Sequence, residues 1–260
     1  EHTVGFRDDR RSFIYVFDLD SRQLTRLTRG NFDEGNPVWS PDGTRLAFTS
    51  DHRPTPDRDE TGEVFVADVR PGAVERQLTR PEDHAEKQAP AWSPDGRTLA
   101  FLEGAGGRVV EYAMDRLAVV PADGSAPARV ISDKWDRGLS HPRFLPGGET
   151  VEALTEDDMS AYPVRVGLNG EVTPEVNPPV VVTAMTRAGN CWAGVEGSGE
   201  AAEVYDFAGG RPRPLSHHND AILSLLDLGR TQRIAAASAD DTEIHGLLTT
   251  PPAYRAGGRL

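Results

Sequence analysis

Asn36-Pro37-Val38-Trp39-Ser40-Pro41-Asp42-Gly43-Thr44-Arg45-Leu46-Ala47-Phe48 has a second version downstream, Ala89-Pro90-Ala91-Trp92-Ser93-Pro94-Asp95-Gly96-Arg97-Thr98-Leu99-Ala100-Phe101. Both frames contain Trp-Ser-Pro-Asp-Gly, and they lie 53 residues apart. Self-similarity at such a period means that one supersecondary unit is copied along the chain. Within each frame a short apolar strand ends at Trp, a tight turn follows, and a strand with the alternation Leu-Ala-Phe leaves it. Proline presets φ at the second turn position, Asp tolerates the third, and Gly accepts the positive φ that a Cβ resists.

Two more strand signals complete the unit. Glu63-Val64-Phe65-Val66-Ala67-Asp68-Val69 is rich in β-branched and aromatic residues, and Glu75-Arg76-Gln77-Leu78-Thr79 closes it. Four strands per repeat is a propeller blade. Weaker copies of the turn fall at Arg143-Phe144-Leu145-Pro146-Gly147-Gly148 and Met185-Thr186-Arg187-Ala188-Gly189-Asn190. The closing strands recur as an apolar residue and a hydroxyl: Leu27-Thr28, Leu78-Thr79, Ile131-Ser132 and Leu215-Ser216. Ahead of the first frame, Phe13 to Leu19 and Gln23 to Thr28 match only the last two strands of a blade, so the chain enters in mid-blade. Pro and Gly punctuate nearly every stretch, and no window holds an apolar stripe at helical period for three turns. The expected fold is all-β, a β-propeller of four-stranded blades with about five visible; a sandwich or barrel with two similar hairpins is the alternative.

Composition narrows the partners. The chain has 260 residues and a net charge of −13, its 28 Lys and Arg scattered among 41 acids. Phosphate recognition needs a basic stripe, so nucleic acid is not expected. No apolar run reaches the length of a membrane span, and no membrane partner is expected. The single cysteine, Cys191, excludes an intrachain disulfide framework, reads as packing in a strand, and points to the cytoplasm. The chain does not begin with Met and shows no signal peptide, so Glu1 is not expected to be the start of translation.

Motifs for chemistry are sparse. A strained nucleophile elbow needs Gly-x-Ser-x-Gly. The nearest stretch, Glu196-Gly197-Ser198-Gly199-Glu200, lacks that spacing and reads as a hairpin turn. Gly104-Ala105-Gly106-Gly107 has no Lys-Ser or Lys-Thr after it and reads as a loop rather than a phosphate cradle. His217-His218-Asn219-Asp220 offers metal-ligating side chains, but adjacent residues of a strand face opposite ways, and a solvated loop is the reading preferred. Glu156-Asp157-Asp158 is read as an acidic, solvent-facing loop. The Ser-Pro-Asp-Gly turn is similar to the sialidase Asp-box, but Asp42 and Gly43 are adjacent where that motif separates them, and no arginine cluster accompanies it. No metal and no cofactor are expected.

The last thirty or so residues depart from the repeat. Arg233 to Leu248 reads as two strands around Ala239-Asp240-Asp241-Thr242, and Pro251-Pro252 stops the second. This resembles the segment that opens the hydrolase domain of prolyl oligopeptidase-family serine peptidases, the acylaminoacyl-peptidase-like branch in particular. That family has a Ser-x-Asp-Gly-x-x-Ile-x-Gly hairpin before a Pro-Pro stop; Asp241 stands here where Gly is usual. Asn219-Asp220-Ala221-Ile222-Leu223 resembles the family's junction, and the Trp-Ser-Pro-Asp-Gly repeats resemble its propeller, so the resemblance runs over essentially the whole chain.

The resemblance implies a seven-bladed propeller in an intact member, here residues 1–228 with an incomplete first blade, and residues 229–260 as the hairpin and linker opening a hydrolase domain. It implies a propeller that admits short or N-acylated peptides to a serine nucleophile lying further along the chain, so no catalytic residue falls within these residues and they are expected to be inactive alone. The partners implied are short peptide substrates and the protein's own hydrolase domain; self-association into a homo-oligomer is left open. Channel-lining positions are expected on the innermost strand of each blade, just before the turn: Asn36, Gln88, His141, Arg143 and Thr183. Arg143 could hold a substrate carboxylate, or be a solvent-facing arginine at a blade end.

The blades are also similar to those of TolB-like proteins. On that alternative the chain is a protein-binding scaffold, with Ile234 to Leu248 pairing with Val4 to Thr28 to complete a terminal blade. A propeller lactonase or sialidase is a third reading, which needs convergent metal ligands or arginines.

Overall fold

In the computed structural model the described residues are 11–53, 61–70, 72–80, 85–104, 114–188, 191–196, 202–208 and 212–254, the side chains of 188 and 191–196 excepted. β1 (Tyr15–Phe17) and β2 (Leu24–Arg26) form a two-stranded antiparallel sheet. Four complete four-stranded sheets follow among the described residues, each laid down in chain order. They are β3 (Glu34–Trp39) to β6 (Arg76–Gln77) with β4 (Arg45–Ser50) and β5 (Glu63–Asp68) between, and β7 (Lys87–Trp92), β8 (Thr98–Glu103), β9 (Arg116–Pro121) and β10 (Arg129–Val130). Next come β11 (Leu139–Phe144), β12 (Thr150–Asp157), β13 (Ser160–Gly167) and β14 (Val172–Pro174), then β15 (Val182–Ala188), β16 (Cys191–Glu196), β17 (Glu203–Asp206) and β18 (Arg213–Pro214). A one-turn helix α1 (Asp220–Leu223) precedes β19 (Arg230–Ala237) and β20 (Glu243–Thr250), a two-stranded sheet of their own. The fold is all-β, a β-propeller of four-stranded blades, with β1–β2 standing for the closing half of one.

The chain divides into two compact units, Glu1–Thr155 with Val164–Thr173, and Glu156–Pro163 with Pro174–Leu260. In the first, the strand pleat sorts side chains between two cores, as the period of two requires. Leu46, Phe48, Phe65 and Ala67 join Ile14 and Leu27 in one, while Ala47, Val64 and Val66 face the other with Trp92, Leu99, Phe101, Ala118 and Val120. Each blade is therefore apolar on both faces, which is why β4, β5, β8 and β9 read as nearly continuous apolar runs.

The repeated turn is a hydrogen-bonded device. Ser40 N–H donates to Arg45 O at 2.8 Å and Gly43 N–H to Ser40 O at 2.9 Å. The Ser40 hydroxyl donates to Asp42 Oδ1 at 2.6 Å and accepts from Arg45 N–H at 2.9 Å. Ser93, Asp95, Gly96 and Thr98 repeat the pattern. Gly43, Gly96 and Gly148 sit at φ 71°, 66° and 74°, the left-handed region that glycine enters without a Cβ clash. In the third blade Leu145 and Gly147 replace Ser and Asp, and the backbone bonds alone keep the turn.

The closing hydroxyls have one job in all four places. Thr28, Thr79, Ser132 and Ser216 accept from the N–H of Ile14, Val64, Leu117 and Val204 at 2.8–2.9 Å. The residue before each hydroxyl donates its N–H to the carbonyl of that same partner. Where a glutamate precedes the partner, as Glu63 and Glu203 do, the hydroxyl also donates to its carboxylate.

Trp39 and Trp92 share a motif and differ in burial. Trp92 is 9% exposed, its indole N–H donating to Val38 O at 3.1 Å and its ring lying 4.7 Å from the Arg45 guanidinium, both on the preceding blade. Trp39 is 51% exposed. Among the described residues its preceding neighbour is only the β1–β2 pair, which supplies no such turn.

In the second unit, Ser238 N–H donates to Thr242 O at 2.9 Å and the Ser238 hydroxyl to Asp240, rebuilding the Ser-x-Asp turn at the tip of β19–β20. Asp241, in the place of the usual glycine, takes φ 63°, a conformation that Asp tolerates because its short carboxylate can be solvated locally.

Candidate functional site

The first strands of the blades in the first unit neighbour one another, β7 lying between β3 and β11. Each carries the same irregularity. The pairing register slips between Gly35 and Val38, between Gln88 and Ala91, and between Ser140 and Arg143. At each slip a residue before proline has a left-handed backbone: Asn36 at φ 51°, Ala89 at 50° and His141 at 54°. Proline has no N–H for the ladder, so a bulge is where it fits, and the bulge re-aims the preceding side chain.

Asn36 and His141 are thus equivalent positions on the two blades that flank the β7 blade, both exposed. Asn36 Nδ2 donates to Thr49 Oγ1 at 3.2 Å, and His141 Nδ1 lies 3.1 Å from the Ser140 hydroxyl. Gln88 is one residue ahead of its bulge, half-buried, donating to Asp115 Oδ2 at 3.0 Å. Burial raises the Asp115 carboxyl above its ordinary value while that hydrogen bond opposes the rise. Arg143 lies just past the bulge, its guanidinium 2.6 Å from the fully buried Glu152 carboxylate. Thr183 is exposed on β15, in the second unit. The repeat therefore brings Asn36, Gln88, His141 and Arg143 to the same level of adjacent strands.

Other stretches singled out in the sequence fall as follows. His217 Nδ1 lies 3.0 Å from Asp220 Oδ2 on an exposed segment. Asn219, beside it, donates through its backbone N–H and side chain to Glu203 Oε1 at 2.7 and 2.9 Å. With the Ser216 hydroxyl as the main cause, these bonds hold the Glu203 carboxyl down at about 2. Asp158 is exposed, as an acidic loop residue is expected to be, but it also takes His245 Nδ1 at 2.6 Å and Arg233 at 2.9 Å. His245 Nε2 lies 2.9 Å from Glu243, and the bonds to Glu243 and Asp158 raise the imidazole above its ordinary value. Cys191 starts β16; its side chain, Ala105-Gly106-Gly107, Gly189-Asn190 and Gly197 to Glu200 lie outside the described residues.

Sequence reading missed a cluster in the first unit. Glu34, His52 and Glu75 place ligand-type atoms within 4.8 Å of one another. They come from three segments at irregular spacing; the only signal was Glu34 standing where the next repeat has Lys87.

Residues 3–117 match the TolB beta propeller domain family. The uncharacterized peptidase YuxL of Bacillus subtilis is 30% identical over 118 residues, 45% of this chain and 16% of that protein. Among solved structures, acylaminoacyl peptidase of Pyrococcus horikoshii superposes with a TM-score of 0.69 at 17% identity, over 94% of this chain and 36% of that one. TolB from Acinetobacter baumannii gives 0.56 at 16% identity, over 90% and 56%. The chain is thus a β-propeller similar both to peptidase propellers and to TolB, and it spans well under two thirds of each of these proteins. The matches are consistent with the propeller portion of a prolyl oligopeptidase-family peptidase. No described helix is long and apolar enough to cross a membrane.

Proposed function

We propose that these residues are the substrate-admitting propeller of a serine peptidase that hydrolyses short or N-acylated peptides, with the nucleophile, acid and histidine on a hydrolase domain that the β19–β20 hairpin opens. The hairpin is the observation that carries this reading. It pairs in unbroken register from Arg230↔Thr250 to Ala237↔Glu243, in a sheet that holds no other strand among the described residues. Ile234, Ile244 and Leu247 on it are 44–58% exposed, more apolar surface than a free two-stranded ribbon sustains in water. A covering domain accounts for that surface, and the hairpin's resemblance to the family's first hydrolase segment supports a hydrolase domain as the cover.

The propeller's part in the chemistry is steric. A nucleophile enclosed between two domains can be reached by an extended peptide and not by a folded protein. Asn36, Gln88, His141, Arg143 and Thr183 are the side chains we assign to the peptide's path, Arg143 being oriented by Glu152. The single cysteine supports a reducing compartment, the cytoplasm.

A TolB-like scaffold is the second reading, favoured by the match of residues 3–117. Kinetic assay of the full-length natural protein separates the two. Hydrolysis of N-acetylated di- and tripeptide chromogenic substrates, with a folded protein left intact, is expected for the peptidase. Turnover of none of them, with saturable binding to a protein partner, would overturn it in favour of the scaffold.

A further inference from the structure

The repeat makes an unmatched charge visible. In the second blade junction Lys87 opens β7 with its ammonium 3.6 Å from Glu63 and donating to Ala85 O at 3.0 Å, ammonium and carboxylate both buried. One repeat earlier, Glu34 occupies the Lys87 position and Phe13 the Glu63 position. A buried acid stands where the cation was, and the cation is gone. Glu34 is 7% exposed, and its carboxylate oxygens make no well-formed hydrogen bond; the Thr28 hydroxyl and the Ile14 N–H lie close enough only to ease its burial. The nearby Arg26 guanidinium is committed elsewhere, donating to Thr28 O at 2.8 Å and lying 3.4 Å over the Phe13 ring.

Two further donors converge on this carboxylate. His52 Nε2 is buried without a hydrogen bond and lies 3.6 Å from Glu75 Oε2. The imidazole is held between Phe32 and Phe65, ring centroids 4.0 and 4.3 Å away, which fixes the direction of Nε2. Glu75 is oriented by its other oxygen, which accepts the Arg29 N–H at 3.1 Å. One imidazole and two carboxylates, preset within 4.8 Å, match the donor set and charge of a divalent transition metal. Bonds of about 2.0–2.2 Å to zinc need donor separations near the observed His52–Glu75 distance, so small side-chain shifts suffice.

We propose that Glu34, His52 and Glu75 form a binding site for one divalent transition-metal ion of the zinc class, with a fourth position open to water. Burial, partly offset by Glu75 and Asp51, lowers His52 below its ordinary value and so favours the neutral imidazole that ligates metals. Burial, helped by the Glu75 charge and opposed by the Thr28 hydroxyl, Arg26 and the Ile14 N–H, pushes the Glu34 carboxyl up to about 7. The ion would tie β3 to the segments before β5 and β6. Glu34 N–H also donates to Ser12 O and Glu75 accepts from Arg29, so the tie extends to the β1–β2 segment.

The test uses chelator-treated protein titrated with Co²⁺, read by visible absorption, then with Zn²⁺. One equivalent of Co²⁺ is expected to give a low-symmetry d–d band that Zn²⁺ abolishes, and Zn²⁺ is expected to raise the thermal midpoint. Glu34→Gln, His52→Gln and Glu75→Gln should each weaken binding at least about tenfold, while His217→Ala leaves it unchanged. Glu34→Gln has a second signature. Removing an uncompensated buried carboxylate, it should unfold at or above the midpoint of the metal-free wild type and fail to respond to Zn²⁺. Absence of the band at millimolar Co²⁺, or equal affinity in the three variants, would overturn the proposal and leave the peptidase reading untouched.

Discussion

Thr79→Val removes one hydroxyl and leaves the shape of the side chain, so its effect measures what the closing hydroxyl does. In the wild type Thr79 Oγ1 accepts the buried Val64 N–H at 2.9 Å and donates to Glu63, which is buried beside Lys87. An unsatisfied buried N–H costs about 1–3 kcal/mol, and a lost hydrogen bond to a charged group about 1.5–3. Because the two share one atom and the site relaxes, about 2–4 kcal/mol of destabilisation is expected, read by urea unfolding and by faster exchange of the Val64 amide. Two controls come from the repeat itself. Thr79→Ser should cost only about 0.8 kcal/mol for the lost methyl, since Ser132 and Ser216 perform the same role in other blades. Ser132→Ala, where Arg116 stands in place of the glutamate, should cost about 1–2 kcal/mol less than Thr79→Val. If Thr79→Ser is as damaging as Thr79→Val, or if Thr79→Val costs under about 0.5 kcal/mol, the hydroxyl is not the closing device.

Trp92→Ala should cost about 3–5 kcal/mol and Trp39→Ala under about 1, although both lie in Trp-Ser-Pro-Asp-Gly; urea unfolding distinguishes them, and equal losses would refute the packing argument. The turn carboxylates lend stability that is present above their unfolded values near 3.8 and disappears as pH falls towards the folded ones. Asp42, held down to about 2 chiefly by the Ser40 hydroxyl, and Asp95, lowered chiefly by Ser93, are the pair to replace with Asn. In an acid titration followed by circular dichroism the double variant should lose less stability than the wild type across that window. His245 behaves in the opposite sense: its hold on Asp158 and Glu243 is complete below its unfolded value near 6.5 and fades as pH rises through the raised folded one. Protection factors of the β19–β20 amides, with the intrinsic base catalysis of exchange divided out, should therefore fall on the alkaline side in the wild type and stay flat in His245→Ala.

Much of this molecule is written locally. The Trp-Ser-Pro-Asp-Gly turn and the apolar-plus-hydroxyl closing pairs are patterns of neighbours, and each has its structural counterpart in the repeated hydrogen bonds of Ser40, Thr79 and their equivalents. The positions of Asn36 and His141 were legible as residues just before the turn, but their left-handed backbone was not read from the Asn36-Pro37 and His141-Pro142 pairs. What one strand cannot encode is its neighbour. Trp39 and Trp92 are the same letters, and only the presence of Val38 and Arg45 alongside separates a buried indole from an exposed one. Asp158 read as a solvated acid because its partners His245 and Arg233 are far along the chain. Glu34, His52 and Glu75 likewise meet only through the fold, at separations that match no ligand motif.

The central claim, that this propeller serves a serine hydrolase, is tested most directly by treating the full-length natural protein with a fluorophosphonate probe and mapping the adduct by mass spectrometry. One labelled serine is expected, at the centre of a Gly-x-Ser-x-Gly sequence beyond Leu260, with labelling suppressed by an N-acetylated peptide. No adduct on folded full-length protein, or an adduct on a serine within residues 1–260, would contradict it.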